Sequence, residues 1–196
     1  MAVILQKDWA AMLTFTELHD SILKEIGRAL RGISENQYRE FCSDVAGAGR
    51  IVLFGLGREG LAVRAFCMRL VHLGLDAHMA GDITALPIGP GDLQIVASGP
   101  GNLTLTRAMI ELGHRAGARV VVVTAQPDGP DPEAADAVVV IPAQTMADDR
   151  ERTSVLAMGT AFELAMGIFF DLVVIGIQEL PGQTLEDMRA RHFNLE

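Results

Sequence analysis

The apolar positions fall first into helical spacing and then into short runs separated by turns. Between Asp8 and Ile33, Phe15, Leu18, Ile22, Ile26, Leu30 and Ile33 recur close to the helical period with polar residues opposite, which predicts one long amphipathic helix. Ser34 with Gln37 three residues on is a capping-box start for a second helix over Glu35–Ala46, with Tyr38, Phe41, Cys42 and Val45 inward. Gly47 and Gly49 close it. From Arg50 the pattern alternates. Ile51–Phe54, Asp76–Ala80, Leu93–Ser98, Arg119–Ala125 and Ala137–Ile141 read as strands. The valines Val120–Val123 suit a sheet buried on both faces. Leu61–Leu73, Leu103–Ala116, Val155–Glu179 and Thr184–His192 read as helices, the last with Thr184 and Asp187 as its cap pair. Gly81–Gly91 and Gln126–Asp136 are loops.

Strands alternating with helices predict an α/β fold: a five-stranded, mostly parallel sheet flanked by helices in a three-layer sandwich. The 196 residues form one domain, with residues 8–46 as a helical lead-in. In such sheets ligands bind at the carboxyl ends of the strands, near the point where the strand order reverses.

Charge and composition narrow the function. The net charge is −9, Lys7 and Lys24 are the only lysines, and no dense basic cluster occurs, which argues against a nucleic-acid partner. Cys42 and Cys67 lack metal-ligand spacing and read as reduced core thiols of a cytoplasmic protein. The start, Met1 to Trp9, lacks the charged and apolar regions of a signal peptide. Val155–Ile177 is apolar and long enough to cross a bilayer, but it carries Glu163 and Asp171. Each would cost roughly 2.5–3.5 kcal/mol near the centre of a spanning helix, so a core helix is expected and no membrane partner.

Two glycine turns carry the candidate chemistry. Ile51–Phe54 runs into Gly55, Gly57 and Gly60, in a strand, tight turn and helix start that offers unpaired N–H groups to an anion. Gly55-Leu56-Gly57-Arg58-Glu59-Gly60 matches a dinucleotide-binding turn. The partner acid that reading requires is poorly placed, because Asp76 opens the second strand and Asp82 lies in the following loop. The glycines alone also fit a plain tight turn. Ser98-Gly99-Pro100-Gly101-Asn102-Leu103-Thr104 is a second turn of the same kind, and a ligand gripped by two adjacent helix N-termini would use both. Glu163, set between Phe162 and Leu164 in an apolar helix, is expected to have a raised pKa that suits a base. His72, between Val71 and Leu73, reads as a core histidine.

Three stretches together resemble the sugar isomerase (SIS) domain family, most closely the 6-phospho-3-hexuloisomerases. They are Gly55–Gly60 with Arg64–Gly74, the Ser98–Thr104 turn, and Met158–Glu163 with Arg191–Leu195. The resemblance implies an isomerase that moves a carbonyl between C3 and C2 of a ketose 6-phosphate through an enediol, with no metal and no cofactor. It implies a small-molecule sugar phosphate as partner, and a homodimer or homotetramer with the first helix in the subunit contact. It places Glu163 as the base and His192 near the site, often from a neighbouring subunit. Gly55, Gly57, Arg58, Glu59, Ser98, Gly99, Gly101, Asn102 and Thr104 then hold substrate. The chain departs from the family at Pro100, Asn102 and Leu103 in the second turn, and at Glu59 where serine is usual. Glu59 brings a negative charge to an anion site, which is repulsive unless Glu59 pairs with Arg58 or Arg64. These departures keep a second reading alongside the first: a non-catalytic, regulatory sugar-phosphate-binding protein.

Overall fold

A computed structural model describes residues 13–151, 154–178 and 184–194. The start of the chain, Asp8 at the head of the expected first helix, Glu179 and Leu195 lie outside the described residues. The helical lead-in is α1 (Phe15–Arg31) and α2 (Glu35–Gly47). Thr14 caps α1 in a reciprocal box with Glu17. At α2 only half of the expected box forms: Ser34 accepts from the Gln37 amide at 3.1 Å, while the Gln37 side chain donates to Val138 O at 3.4 Å.

The alternating part follows as β1 (Ile51–Phe54), α3 (Gly57–His72), β2 (Ala77–Met79), β3 (Leu93–Ala97), α4 (Thr104–Ala116) and β4 (Arg119–Thr124). After these come α5 (Pro130–Glu133), β5 (Ala137–Val140), a 3-10 turn over Met146–Glu151, α6 (Thr160–Gln178) and α7 (Leu185–Ala190). The short α5 and the 3-10 turn occupy stretches that carry no helical periodicity in the sequence. The expected box of Thr184 and Asp187 forms at α7.

All five strands pair in parallel, in the order β2-β1-β3-β4-β5. The chain leaves β1 toward β2 and then returns to the other side of β1 for β3, so the strand order reverses between β1 and β3. Alternate side chains of the buried strands serve two cores. Val120, Val122 and Val96 pack with Ile110 of α4 on one face. Val121, Val123, Ile95 and Leu53 face a larger core built by α1, α2, α3 and α6. At its centre Phe66 of α3 and Phe170 of α6 stack with ring centroids 4.3 Å apart, which holds the two helices together. The helix α6 is apolar on most of its circumference apart from Glu163 and Asp171, but its burial is periodic. Phe162, Ala165, Met166, Phe169, Phe170, Val173, Val174 and Ile177 are buried, while Leu164, Ile168, Leu172 and Ile175 are exposed as one stripe.

Candidate active site

Both glycine turns lie on the carboxyl rim of the sheet, on either side of the reversal between β1 and β3. The first turn is tight because Gly60 has no side chain: a Cβ there would lie 2.6 Å from Gly55 O. The chain can therefore pass from β1 into α3 within two residues, and α3 begins at Gly57, four residues before the apolar pattern suggested. Arg58 and Glu59 thereby fall in the first turn of α3. Neither α3 nor α4 has a side-chain N-cap, so both present open amides to the rim.

Glu163 projects from the first turn of α6 toward the same place. It is not the lone carboxylate that the sequence suggests. Arg58 Nε donates to Glu163 Oε2 at 2.5 Å, with the Glu163 side chain 13% exposed and that of Arg58 61% exposed. The chain reaches α6 through two successive left-handed residues, Met158 at φ 55° and Gly159 at φ 80°. The expected helix from Val155 therefore starts only at Thr160. A left-handed methionine costs about 1–3 kcal/mol, and Met158 lines the site it precedes.

Glu59 pairs with neither Arg58 nor Arg64. Both of its carboxylate oxygens face the Gly99 amide, which donates at 3.1 and 3.2 Å, so the side chain ties the two turns together. Burial pushes its pKa from 4.5 up to about 7; the Gly99 hydrogen bond works against that rise, and the Glu163 charge adds to it. Arg64 instead lies 3.7 Å from Asp82.

The second turn is anchored from behind by Asp131 of α5, a residue that sequence reasoning missed. Its carboxylate accepts from Ser98 Oγ at 2.6 Å and from the Leu103 amide at 3.0 Å, and it is 1% exposed. The Gly101 amide donates to Ser98 O at 3.0 Å. Of the residues expected to hold a phosphate, Ser98, Gly99 and Gly101 thus donate within the protein, while Asn102 and Thr104 are exposed at the mouth of the turn. No local signal marks Asp131, which reads as one more acid in a Pro/Asp/Gly loop.

A cleft of about 220 Å³ opens between these pieces, lined by Gly57, Arg58, Glu59, Pro100, Thr145, Met158, Phe162 and Glu163 among others. Gly55 lies beneath it at the end of β1. A second groove of about 410 Å³ runs on between α3 and α6 past Leu61, Leu164 and Ile168. The two meet at Arg58 and Glu163.

His192 stands elsewhere. Its ring lies 5.2 Å from that of His72, in the last turn of α3, and Arg191 Nη1 donates to His72 O at 3.0 Å. The 16-residue α3 runs about 24 Å, so its own fold holds His192 roughly that far from Arg58. His72 is buried as expected, and burial, then the His192 and Arg69 charges, lower its pKa. Cys67 is also buried, which drives its thiol pKa up to about 11 and leaves it protonated and inert.

Two features remove the dinucleotide reading. Asp76 lies at the opposite rim, bonded to Arg50 and His78, and Asp82 is taken by Arg64. Among the described residues no carboxylate therefore stands ready for a ribose at the end of β2.

No protein-family model matches the chain. It is 34% identical over 172 residues to the 3-hexulose-6-phosphate isomerase of Mycobacterium gastri, across 88% of this chain and 86% of that one. It is 33% identical over 175 residues to the 3-hexulose-6-phosphate isomerase of Methylomonas aminofaciens, across 89% and 96%. A Methanococcus jannaschii protein, whose crystal structure was read as implying 3-hexulose-6-phosphate isomerase function, superposes with a TM-score of 0.80 at 26% identity, across 91% of this chain and 98% of that one. The five-stranded parallel sheet, the paired turns and these full-length relationships agree, and the chain belongs to the 3-hexulose-6-phosphate isomerase family of sugar isomerase domain proteins.

Proposed function

We propose that the chain is a cytoplasmic isomerase that moves the carbonyl of a ketose 6-phosphate between C3 and C2 through an enediol. The observation that carries the reading is the Glu163–Arg58 pair on the wall of a cleft at the sheet reversal, in a chain related over its length to named isomerases. Glu163 takes the carbon-bound proton, and Arg58 fixes the direction of its carboxylate. The open amides of α3 and α4, with Asn102 and Thr104, form the cradle for the phosphate. Gly55, Gly57, Gly99 and Gly101 shape that cradle through their backbones.

The enzyme works as a homo-oligomer. The exposed stripe of α6, the groove beside it and the exposed Phe15 and Leu23 of α1 form an apolar face that adjoins the cleft. A neighbouring copy supplies His192, which opens the cyclic form of the sugar, because its own protomer holds that ring at the far end of α3.

A specific observation favours a second reading, a sugar-phosphate-binding regulator without turnover. Glu59 and Asp131 occupy amides of the second turn that a phosphate would otherwise use. Incubation with fructose 6-phosphate in D2O, followed by NMR, separates the two. The isomerase incorporates deuterium at C3, and Glu163→Gln slows this by about 10²–10⁴-fold. Binding without exchange establishes the regulator, and exchange undiminished in Glu163→Gln removes Glu163 as the base.

A further inference from the structure

Carbonyl migration moves two protons, one between C2 and C3 and one between O2 and O3. Glu163 accounts for the first. The cleft holds a second carboxyl, Glu59, and the charged groups among the described residues that line it are Arg58, Glu59 and Glu163. Glu59 and Glu163 come from the first turns of two helices packed side by side, α3 and α6, so they reach the space from adjoining walls. Arg58 bonds to Glu163, and among the described residues no cation pairs with Glu59. Among the described residues the Gly99 amide is the single donor to Glu59, and one N–H serves two oxygens. A carboxyl protonated on one oxygen still accepts from Gly99 through the other, so the Gly99 bond is compatible with both protonation states of Glu59. Gly99 makes this seat possible: a Cβ there would stand 2.6 Å from Glu59 Oε1.

We infer that Glu59 is the second acid–base group of the site, carrying the hydroxyl proton between O3 and O2 while Glu163 carries the carbon-bound proton. This rests on the isomerase reading given above. The steps balance. Ionised Glu163 removes the proton from C2 as protonated Glu59 gives its proton to O3; the C3–O π bond breaks and the C2–C3 double bond of the enediol forms. Glu59, now ionised, then takes the proton from O2 as the C2–O π bond forms, and the electron pair of the double bond takes the proton of Glu163 at C3. Both carboxyls return to their starting states and nothing else is consumed. The division of labour matches the surroundings: Glu163 faces a guanidinium, whereas burial brings Glu59 to about 7, where it both gives and takes a proton at neutral pH.

The test is Glu59→Gln, which still accepts the Gly99 hydrogen bond but cannot transfer a proton, with Glu59→Ser as a second variant of different shape. Steady-state isomerisation of fructose 6-phosphate is followed across pH 5–9. Both variants are expected to lose about 10²–10⁴-fold in kcat. KM should stay within about threefold for Glu59→Gln, as expected when a transition-state contact is lost. The limb of the pH–rate profile near 7 should vanish in both while melting shows a folded protein. Either variant turning over at the wild-type rate, or a limb unchanged in Glu59→Gln, overturns the assignment and leaves the isomerase standing. A wild-type chain inert on this substrate overturns both.

Discussion

At the scale of residues, Glu59 ties chemistry to stability. Its pKa of about 7 in the folded protein lies above the 4.5 of the free group. The folded chain therefore keeps a proton that the unfolded chain releases between these two values, and stability falls as pH rises through that window. The contribution is complete below about pH 4.5 and lost above about 7, and amounts to roughly 3 kcal/mol. Glu59→Gln removes the slope. The variant should melt several degrees above wild type at pH 8 and close to it at pH 5, by calorimetry in matched buffers; parallel melting curves at both pH values would show that the carboxyl is not buried as described. The sequence shows Glu59 as a charge out of place but not its partner, because the Gly99 amide lies 40 residues away and carries no side chain to read. The same holds for Glu163, whose apolar neighbours in the chain say nothing of Arg58, 105 residues earlier.

At the scale of elements, the site depends on how closely α3 leaves β1. Gly60→Ala places a methyl group 2.6 Å from Gly55 O, within backbone that cannot swing aside. It should cost about 1–3 kcal/mol by denaturant titration and lower activity more than stability, because Arg58 and Glu59 move with the helix. A variant with wild-type stability would mean that the turn has slack. The alternation of strands and helices was readable because buried strands and half-buried helices differ in period. The start of α6 was not. Val155 to Gly159 are as apolar as the helix that follows, and only the left-handed backbone at Met158 and Gly159 breaks it. The clamp of α5 on the second turn was invisible too, since it depends on the loop after β4 folding back beneath Ser98.

At the scale of the whole molecule, the isolated protomer leaves an apolar face uncovered. Leu164, Ile168, Leu172 and Ile175 of α6 form an exposed stripe, and Phe15 of α1, a helix packed on α6, is 83% exposed. Ile168→Glu puts a charge within that face; if the proposed assembly uses it, light scattering should show a monomer for the variant and an oligomer for wild type. Activity should fall with assembly, because the role proposed for His192 requires a neighbouring copy to bring it to the cleft. A wild-type protein that is already monomeric, or a monomeric variant with full activity, would refute this. The sequence displayed the apolar face of α1 and α6 but not which part the protomer keeps for itself, because helical period alone does not distinguish a core from a contact between copies.

The cleft also couples ligand to fold in a way that its size does not suggest. Its walls come from the ends of β1 and β3, the loop after β5 and the head of α6, stretches joined only when the sheet is complete. A bound ligand therefore stabilises the global fold rather than one loop, by about 2.7 kcal/mol at a hundred times its dissociation constant. A ligand that fills the cleft should therefore raise the melting temperature of the whole protein rather than protect one loop.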